Sequence, residues 1–268
     1  MSIAVEDLEE LRRAVERLEN PGLAARLANM VGAPVEMLGD ALPEKAKAVV
    51  SKATSTALER ALKLAIASMR GQQGEGPADR LHKSAVGIAG AVGGLFGLPA
   101  LVVELPVSTT IMLRSIADIA RCEGEDLRDP ETALACLQVF ALGGRAKSDD
   151  AMDAGYFAVR GALARTMSQA AEAIARRGLV TEGAPVVVRF LGAVASRFGV
   201  TVGQKLAVQA LPVIGAAGGA LVNLAFIDHF QEMARGHFTV RRLERKYGAA
   251  VVQAAYEALR DGEPVPVS

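Results

Sequence analysis

The stretch from Ser84 to Cys122, SAVGIAGAVGGLFGLPALVVELPVSTTIMLRSIADIARC, decides the fold of this 268-residue chain. It begins as a glycine-rich apolar run, and from Pro99 onward it has the pattern of an apolar helix with a thin polar stripe. A second stretch of the same kind, LAVQALPVIGAAGGALVNLAFIDHFQEMARGHF, begins at Leu206. We therefore predict an all-α fold: a single multi-helix domain with two glycine-rich apolar helical hairpin units wrapped by amphipathic helices.

Amphipathic helices account for most of the remaining chain. Near the N-terminus, apolar residues recur at helical spacing at Leu8, Leu11, Val15 and Leu18. Further helices are predicted from Pro43 and Pro130, over about 149–177 and 184–198, and as two short charged helices after Phe238. We find no strand pattern, and we divide the chain into N-terminal amphipathic helices (1–76), a helical domain that holds both units (77–260) and a disordered tail (261–268).

Composition argues against some classes of function. Thirty Lys and Arg balance thirty Asp and Glu, so the chain has no net positive charge to attract a nucleic-acid backbone. Aromatic residues make up 4% of the chain, which argues against stacking on bases. Cys122 and Cys136, isolated among apolar residues, are expected to be reduced core side chains. We expect no nucleic-acid partner and no cofactor.

The glycines of the first unit lie at positions that share one helix face: Gly87, Gly90, Gly94 and Gly97. Each costs about 1 kcal/mol of helix propensity relative to Ala. Such a face is favourable where another backbone approaches closely, as in glycine zippers. Gly215 and Gly219 repeat the pattern in the second unit. Two interpretations stay open: a tightly packed core of a soluble bundle, or a hairpin that enters a membrane.

A stripe of polar residues runs along the part of the first stretch that follows Pro99. Its members at helical spacing are Glu104, Ser108, Ser115, Asp118 and Cys122, with Thr110, Arg114 and Arg121 beside them. Buried polar groups need partners, and the second unit offers Asn223, Asp228, His229, Gln231 and Glu232. We predict a structural polar seam between the two units, in which Arg114 is paired with Asp228 or Glu232.

The alternative interpretation makes this seam a functional site. The catalytic candidates are Glu104, Ser108, Arg114 and Asp118, and a ligand site would add Thr109, Thr110, Asp228 and His229. Asp228, His229, Glu232 and His237 are weak metal candidates. His229 and His237 are eight residues apart, whereas helical metal pairs are separated by four, so we predict no metal. The chain has no nucleophile elbow and no phosphate-binding loop.

Several blocks together carry a family resemblance. They are ELPVSTTIMLRSIADIARCEGEDLRDPETALACLQVFALGG, AGYFAVR, RFGVTVGQK and LPVIGAAGGALVNLAFIDHFQEMARGHFTVRRLERKYG. In this order, over roughly Leu98 to Tyr256, the chain resembles the bacterial EcsC family. The resemblance implies a helical, cytosolic protein that associates with the membrane periphery, and it carries over no catalytic residue.

These observations favour a non-enzymatic, membrane-peripheral protein. We expect it to bind lipid or a membrane-protein partner through its glycine-rich hairpins, at Gly90, Gly94, Gly215 and Gly219. The basic residues Arg241, Arg242 and Arg245 would face the anionic membrane surface. We expect it in the cytoplasm, at the inner face of the cell membrane, because the N-terminus lacks a signal-peptide pattern. The alternative is a hydrolase, or a small-ligand or metal-binding protein, that uses the polar seam.

Overall fold

The computed structural model describes residues 3–19, 23–32, 42–69, 98–142, 155–177, 184–209 and 215–265. Within these ranges the chain forms nine α-helices and no β-strand, so the all-α prediction is confirmed. The helices are α1 (Val5–Glu19), α2 (Leu23–Val31), α3 (Glu44–Met69), α4 (Leu98–Cys122), α5 (Pro130–Leu142), α6 (Tyr156–Arg177), α7 (Pro185–Gln209), α8 (Gly215–Tyr247) and α9 (Ala249–Asp261).

Local signals placed most helix starts correctly. Helix α3 begins directly after Pro43, and α5 begins at Pro130, where the backbone N–H of Glu131 donates to the Asp129 carboxylate at 3.1 Å. Two predicted boundaries are wrong. Helix α7 continues eleven residues beyond the predicted end, to 209. Helix α8 runs unbroken for 33 residues, so the first of the two short charged helices is its last part.

Helix α5 lies at the centre of the bundle. Its residues 132–141 are all buried, which agrees with a helix that is apolar on every side. Phe140 of α5 packs against Phe198 of α7 and Phe230 of α8, with ring centroids 4.9 and 5.2 Å apart. This aromatic cluster fixes three helices against one another. Helices α2, α3, α4 and α6 complete the same core.

Helices α4 and α8, one from each predicted apolar unit, lie side by side and run parallel. Gln231 of α8 donates to Ser115 of α4 at 2.8 Å, and eight residues further along both helices Thr239 donates to Glu123 at 3.4 Å. Helix α3 packs along the other side of α4 and also contacts α7. The two units therefore meet through their central helices.

A second, smaller core lies under the N-terminal helix. Helix α1 buries the face that its periodicity predicted, including Leu8, Leu11 and Val15, against α8 and α9. The helices before residue 77 thus pack directly on those that follow. Of the two cysteines, Cys136 is buried but Cys122 is exposed at the end of α4, which corrects its predicted core position.

The predicted glycine zipper falls mostly outside the described residues. Gly87, Gly90, Gly94 and Gly97 all lie there, and the close packing proposed for them stays a prediction. In the second unit Gly215 begins α8 and Gly219 is buried. Among the described glycines, Gly236 in α8 makes a tight contact with another helix.

Gly236 instead lets α1 approach α8. A Cβ atom at this position would lie 2.6 Å from Cγ of Leu18 and 3.1 Å from both of its methyl carbons. No such separation is tolerated between carbon atoms, so either Leu18 or the helix would have to move. The glycine costs helix propensity, and the close packing of α1 offsets that cost.

An ion pair is buried between α4 and α7. Lys205 Nζ lies 3.0 Å from Glu104 Oε1, with Lys205 2% exposed and Glu104 13% exposed. The Lys205 ammonium also lies 4.9 Å from the ring centroid of Phe226 on α8. Burial lowers the pKa of Lys205, and the charge and hydrogen bond of Glu104 oppose that effect. Each charge is tolerated here because the other is present.

Replacing Gly236 with Ala should destabilise the fold by about 1–3 kcal/mol, because the new methyl group overpacks the contact with Leu18. Gly161→Ala and Gly192→Ala are matched controls, since a Cβ at either position meets nothing within 4 Å. Those two changes should stabilise the protein by about 1 kcal/mol through helix propensity. Urea unfolding measures all three, and Leu18→Ala should restore stability to the Gly236 variant. Equal stability of the Gly236 and control variants would contradict the close contact.

Lys205→Met should cost about 3–5 kcal/mol of unfolding free energy, because it leaves the Glu104 carboxylate buried without its partner. The double variant Lys205→Met with Glu104→Leu should recover most of this loss. Chemical denaturation of the wild type, both single variants and the double variant forms the test. A double variant less stable than Lys205→Met alone would show that the pair is not the source of the effect.

Candidate functional site

The predicted polar stripe is divided among different neighbours. Glu104 is paired with Lys205, and the buried Ser108 hydroxyl donates to the Leu105 carbonyl at 3.1 Å. Thr109 is completely buried, and its hydroxyl has no hydrogen-bond partner. Asp118 is exposed and pairs with Arg121, one turn along the same helix. These side chains do not converge on one site.

The prediction that Arg114 pairs with Asp228 or Glu232 is wrong. Arg114 and Asp228 are both exposed, and Arg114 makes no ion pair with any residue that the structure describes. Glu232 instead pairs with Arg17 at 2.8 Å and with Arg235. The reason is the rotation of α4: Ser115, the next residue, is the one that faces α8 and meets Gln231.

The metal candidates are also separated. His237 is buried against Tyr156, and His229 is buried with its ring edge-on to Phe230 at 5.3 Å between centroids. Glu232 is occupied by two arginines, and Asp228 is exposed. Across the described ranges, no three His, Cys, Asp or Glu side chains come together in a metal-binding arrangement.

A groove does lie between α3 and α4. It has a volume of about 480 Å³, which is within the range of small-ligand pockets. Its lining residues are Arg60, Lys63, Leu64, Pro106, Val107, Thr110, Ile111 and Arg114. Thr110 and Arg114, two of the predicted ligand-binding residues, are therefore brought together here. The other predicted site residues lie elsewhere.

The groove is lined by both basic and apolar side chains. It contains three cationic side chains, Arg60, Lys63 and Arg114, and no acidic one. In the described part of the chain, neither Arg60 nor Arg114 forms an ion pair. Leu64 and Val107 are 44% and 49% exposed, so the groove presents apolar side chains to solvent beside its charges. This combination fits a ligand that carries both negative charge and an apolar part.

A proline within α4 shapes one wall of the groove. Pro106 has no backbone N–H, so α4 lacks one of its regular hydrogen bonds at this turn. The Thr110 hydroxyl donates to the Pro106 carbonyl at 2.8 Å, a local bond that keeps this side chain against its own helix. The groove therefore lies where α4 is least regular, while the three cations provide its outward-facing donors.

A dense ion-pair network lies toward the other end of α4 and α8. Arg241 makes a two-pronged contact with Glu125, at 2.8 and 3.2 Å, and Arg245 contacts the same carboxylate. Arg242 bonds to Glu123 at 2.7 Å and also reaches two acidic residues of α1. Burial would raise the pKa of Glu125, but the hydrogen bonds and charges of the arginines hold it below its usual value.

This network engages Arg241, Arg242 and Arg245, the three arginines predicted to face an anionic membrane surface, and that role stays a prediction. Their guanidinium groups join the loop between α4 and α5 to α8, and Arg242 also joins α1. Charge-assisted contacts of this kind hold a guanidinium against its partners. Arg60 and Arg114 of the groove, by contrast, form no ion pair with any residue that the structure describes.

A buried polar chain adjoins the network. Arg160 donates to Glu244 at 2.8 and 2.9 Å and to the Tyr156 hydroxyl at 3.2 Å, and that hydroxyl lies 2.9 Å from Nδ1 of His237. His237 is completely buried, and its Nε2 has no partner. Burial, together with the charges of Arg160 and Arg241, lowers the pKa of His237 well below its usual value. His237 is therefore neutral in the fold.

The comparison with protein families gives one match. The family model of the EcsC protein family matches residues 5–243, most of the chain. The chain belongs to the EcsC family. The match begins far earlier than the blocks that suggested the resemblance, so the family region includes α1 to α3, and with them Arg60 and Lys63 of the groove. No curated protein and no solved structure matches the chain.

Among the helices that the structure describes in this EcsC-family chain, one has the length and composition of a membrane span. Helix α7, Pro185–Gln209, has a mean hydropathy of 1.5 over its most apolar window, and 39% of that window is buried in the bundle. Core helices of soluble proteins reach the same length and hydropathy. Residues 206–227, in the second apolar stretch, include the end of α7 and the start of α8.

The sequence analysis did not identify the residues of α3 that line the groove. Arg60 and Lys63 lie three residues apart in a helix that was predicted, and this spacing places both on one face. Pro106 is visible in the opening stretch as a second proline within an apolar helix. What the sequence lacked was any sign that α3 and α4 would bring these features together.

The buried His237 should make the protein sensitive to mild acid. Its pKa is lowered in the fold, so below about pH 6.5 the unfolded chain takes up a proton that the folded chain does not. Stability then falls as the pH falls, by up to about 1.4 kcal/mol per pH unit. Urea unfolding between pH 8 and pH 5 should show this slope in the wild type and a smaller one in His237→Gln. Identical slopes would refute the assignment.

Proposed function

We propose that this protein is a membrane-peripheral protein that binds anionic lipid in the groove between α3 and α4. The observation that carries the proposal is the pairing of Arg60, Lys63 and Arg114 with the exposed apolar side chains of Leu64 and Val107. An anionic lipid supplies both complements, with its phosphate for the cations and its glycerol and acyl part for the apolar floor.

The chemistry of the cations supports this choice. Guanidinium groups bind phosphate through two parallel hydrogen bonds, and ammonium groups bind it as point charges. Each basic residue close to an anionic membrane contributes about 1 kcal/mol of association. Arg60 and Arg114 would give a reversible association that weakens as salt screens the charges. This behaviour is that of a protein that adsorbs to a bilayer.

Exposed apolar residues near the groove support the same orientation. Residues of α8 lie beside residues that are 116 positions earlier in the chain, as the pairs Gln231–Ser115 and Thr239–Glu123 show. Leu221 and Leu224 of α8 therefore lie at the level of positions 105 and 108 of α4. Both leucines are more than half exposed, at 55% and 56%, and Val107 lies at the same level on α4. The apolar side chains and the groove thus lie at a similar level along α4, and we propose that this region meets the membrane.

The proposal keeps the partner expected from the sequence and changes the residues that meet it. The anionic surface of a cytoplasmic leaflet is the matching partner, so we place the protein at the inner face of the cell membrane. Arg60, Lys63 and Arg114 replace the arginines of the C-terminal part of α8. The catalytic candidates Glu104, Ser108 and Asp118 have separate partners, which favours binding over catalysis.

Vesicle flotation tests the proposal. The wild type should bind phosphatidylcholine vesicles that contain about 30% phosphatidylglycerol at low salt, and should not bind phosphatidylcholine alone. Replacing Arg60 and Arg114 with Gln should lower the partition coefficient about 30-fold, the equivalent of about 2 kcal/mol. The matched control replaces Arg12 and Arg13, two exposed arginines of α1, with Gln.

The control makes the same change in net charge at a different surface. Equal losses from the two double variants would show non-specific attraction and would overturn the assignment to the groove. Absence of wild-type binding to anionic vesicles would overturn lipid binding itself and favour a membrane-protein partner. Circular dichroism melting of each variant establishes that the fold is intact.

A further inference from the structure

We infer that the terminal helices α1 and α9 open together when His237 takes up a proton, ahead of the core around α5. The acid sensitivity described above concerns the whole fold, and the position of His237 determines which helices respond first. The protein thus contains a conformational response to pH that does not depend on lipid binding.

Helices α1 and α9 attach to the bundle along one side of α8. They pack on α8 and on each other, and Leu11 and Val252 form the second core with Val240 and Leu243 of α8. Among the described buried residues, the core around α5 includes none from α1 or α9. Parts of a protein that pack on separate cores can open separately.

Tyr156, at the start of α6, joins both terminal helices to His237. Its backbone N–H donates to Glu19 of α1 at 3.2 Å, and its ring stacks on that of Tyr256 of α9, with centroids 5.5 Å apart. The Tyr256 hydroxyl donates to the same Glu19 carboxylate at 2.8 Å. On its other side, the Tyr156 hydroxyl lies 2.9 Å from Nδ1 of the completely buried His237.

Helix α1 also covers α8 directly beside His237. Its Leu18 lies against Gly236, the preceding residue of α8. Helix α6 is held differently, because Val159 and Leu163 anchor it in the core around α5. The helices that can leave His237 without disturbing that core are therefore α1 and α9.

The neutral imidazole is the form that fits these contacts. Arg160 donates to the Tyr156 oxygen at 3.2 Å, so the hydroxyl hydrogen of Tyr156 can point to Nδ1 of His237. The other ring nitrogen, Nε2, is buried without a hydrogen-bond partner in the described part of the chain. A protonated ring carries a hydrogen on both nitrogens. Nδ1 would then stop accepting from Tyr156, and the charged Nε2–H would remain unsatisfied.

The charges that face His237 also oppose its protonation. Burial lowers the pKa of His237, and the charges of Arg160 on α6 and Arg241 on α8 lower it further. The nearby carboxylates are already engaged: Glu244 pairs with Arg160 and Glu125 with Arg241, each at 2.8 Å. The carboxylate that α1 brings to this junction is bonded to the two tyrosines. A proton on the ring therefore favours a state in which the ring is in water.

Hydrogen exchange resolved by helix tests the inference in the wild type. After correction for the intrinsic effect of pH, amides of α1 and α9 should exchange about 30-fold faster at pH 5 than at pH 7.5. This is the change expected for one histidine that titrates near pH 6.5 in the open state alone. Below pH 6 the acceleration should approach about tenfold per pH unit, the mark of a single proton. At pH 5, α5 should still exchange about 100-fold more slowly than α1 and α9.

Neutral replacements of the histidine identify the group that titrates. His237→Gln and His237→Asn should remove the acceleration, and each variant is compared with itself at the two pH values. His229→Gln is the matched control, a buried histidine of the same helix that packs on Phe230 in the core around α5. It should leave the response of α1 and α9 unchanged.

Three results would overturn the inference. Exchange in α1 and α9 that does not accelerate in acid would show that their opening is not linked to a proton. Acceleration that persists in both His237 variants would assign the response to other groups. Exchange in α5 as fast as in α1 and α9 at pH 5 would show that the whole fold opens at once.

Discussion

The burial of α5 on every side is the constraint on which the rest of the structure depends. A helix with no solvent-facing stripe can exist in a folded chain if other helices enclose it completely. Phe140 meets Phe198 and Phe230 at about 5 Å, so α7 and α8 are held by the same side chain. Helix α4 is then placed beside α8, and α3 covers α4, which creates the groove.

The sequence predicted helices well because the signals for them are local. Prolines, Asp129 and the apolar spacing of α1 act within one or two turns, and the structure confirms them. It predicted the polar contacts poorly, because these depend on how helices rotate against one another. Five residues of α4 at helical spacing share a face in projection, yet Glu104 meets α7 and Ser115 meets α8.

The pairs that were missed entirely join distant parts of the chain. Tyr156 and His237 are 81 residues apart, and Glu125 and Arg241 are 116 apart, so no spacing rule could connect them. The groove depends both on how helices rotate against one another and on residues that are far apart in the sequence. Arg114 was predicted to pair with a carboxylate of α8, but it is exposed and forms no ion pair within the described part of the chain. An exposed cation without a partner fits a binding residue better than a structural one.

The ion pairs around Glu125 and the cations of the groove respond differently to dissolved salt. Glu125 is 5% exposed and accepts from two arginines, so dissolved salt has little access to these contacts. The cations of the groove are open to solvent and are screened readily. Under the proposed lipid binding, a rise in ionic strength would release the protein from an anionic bilayer while its fold stays intact.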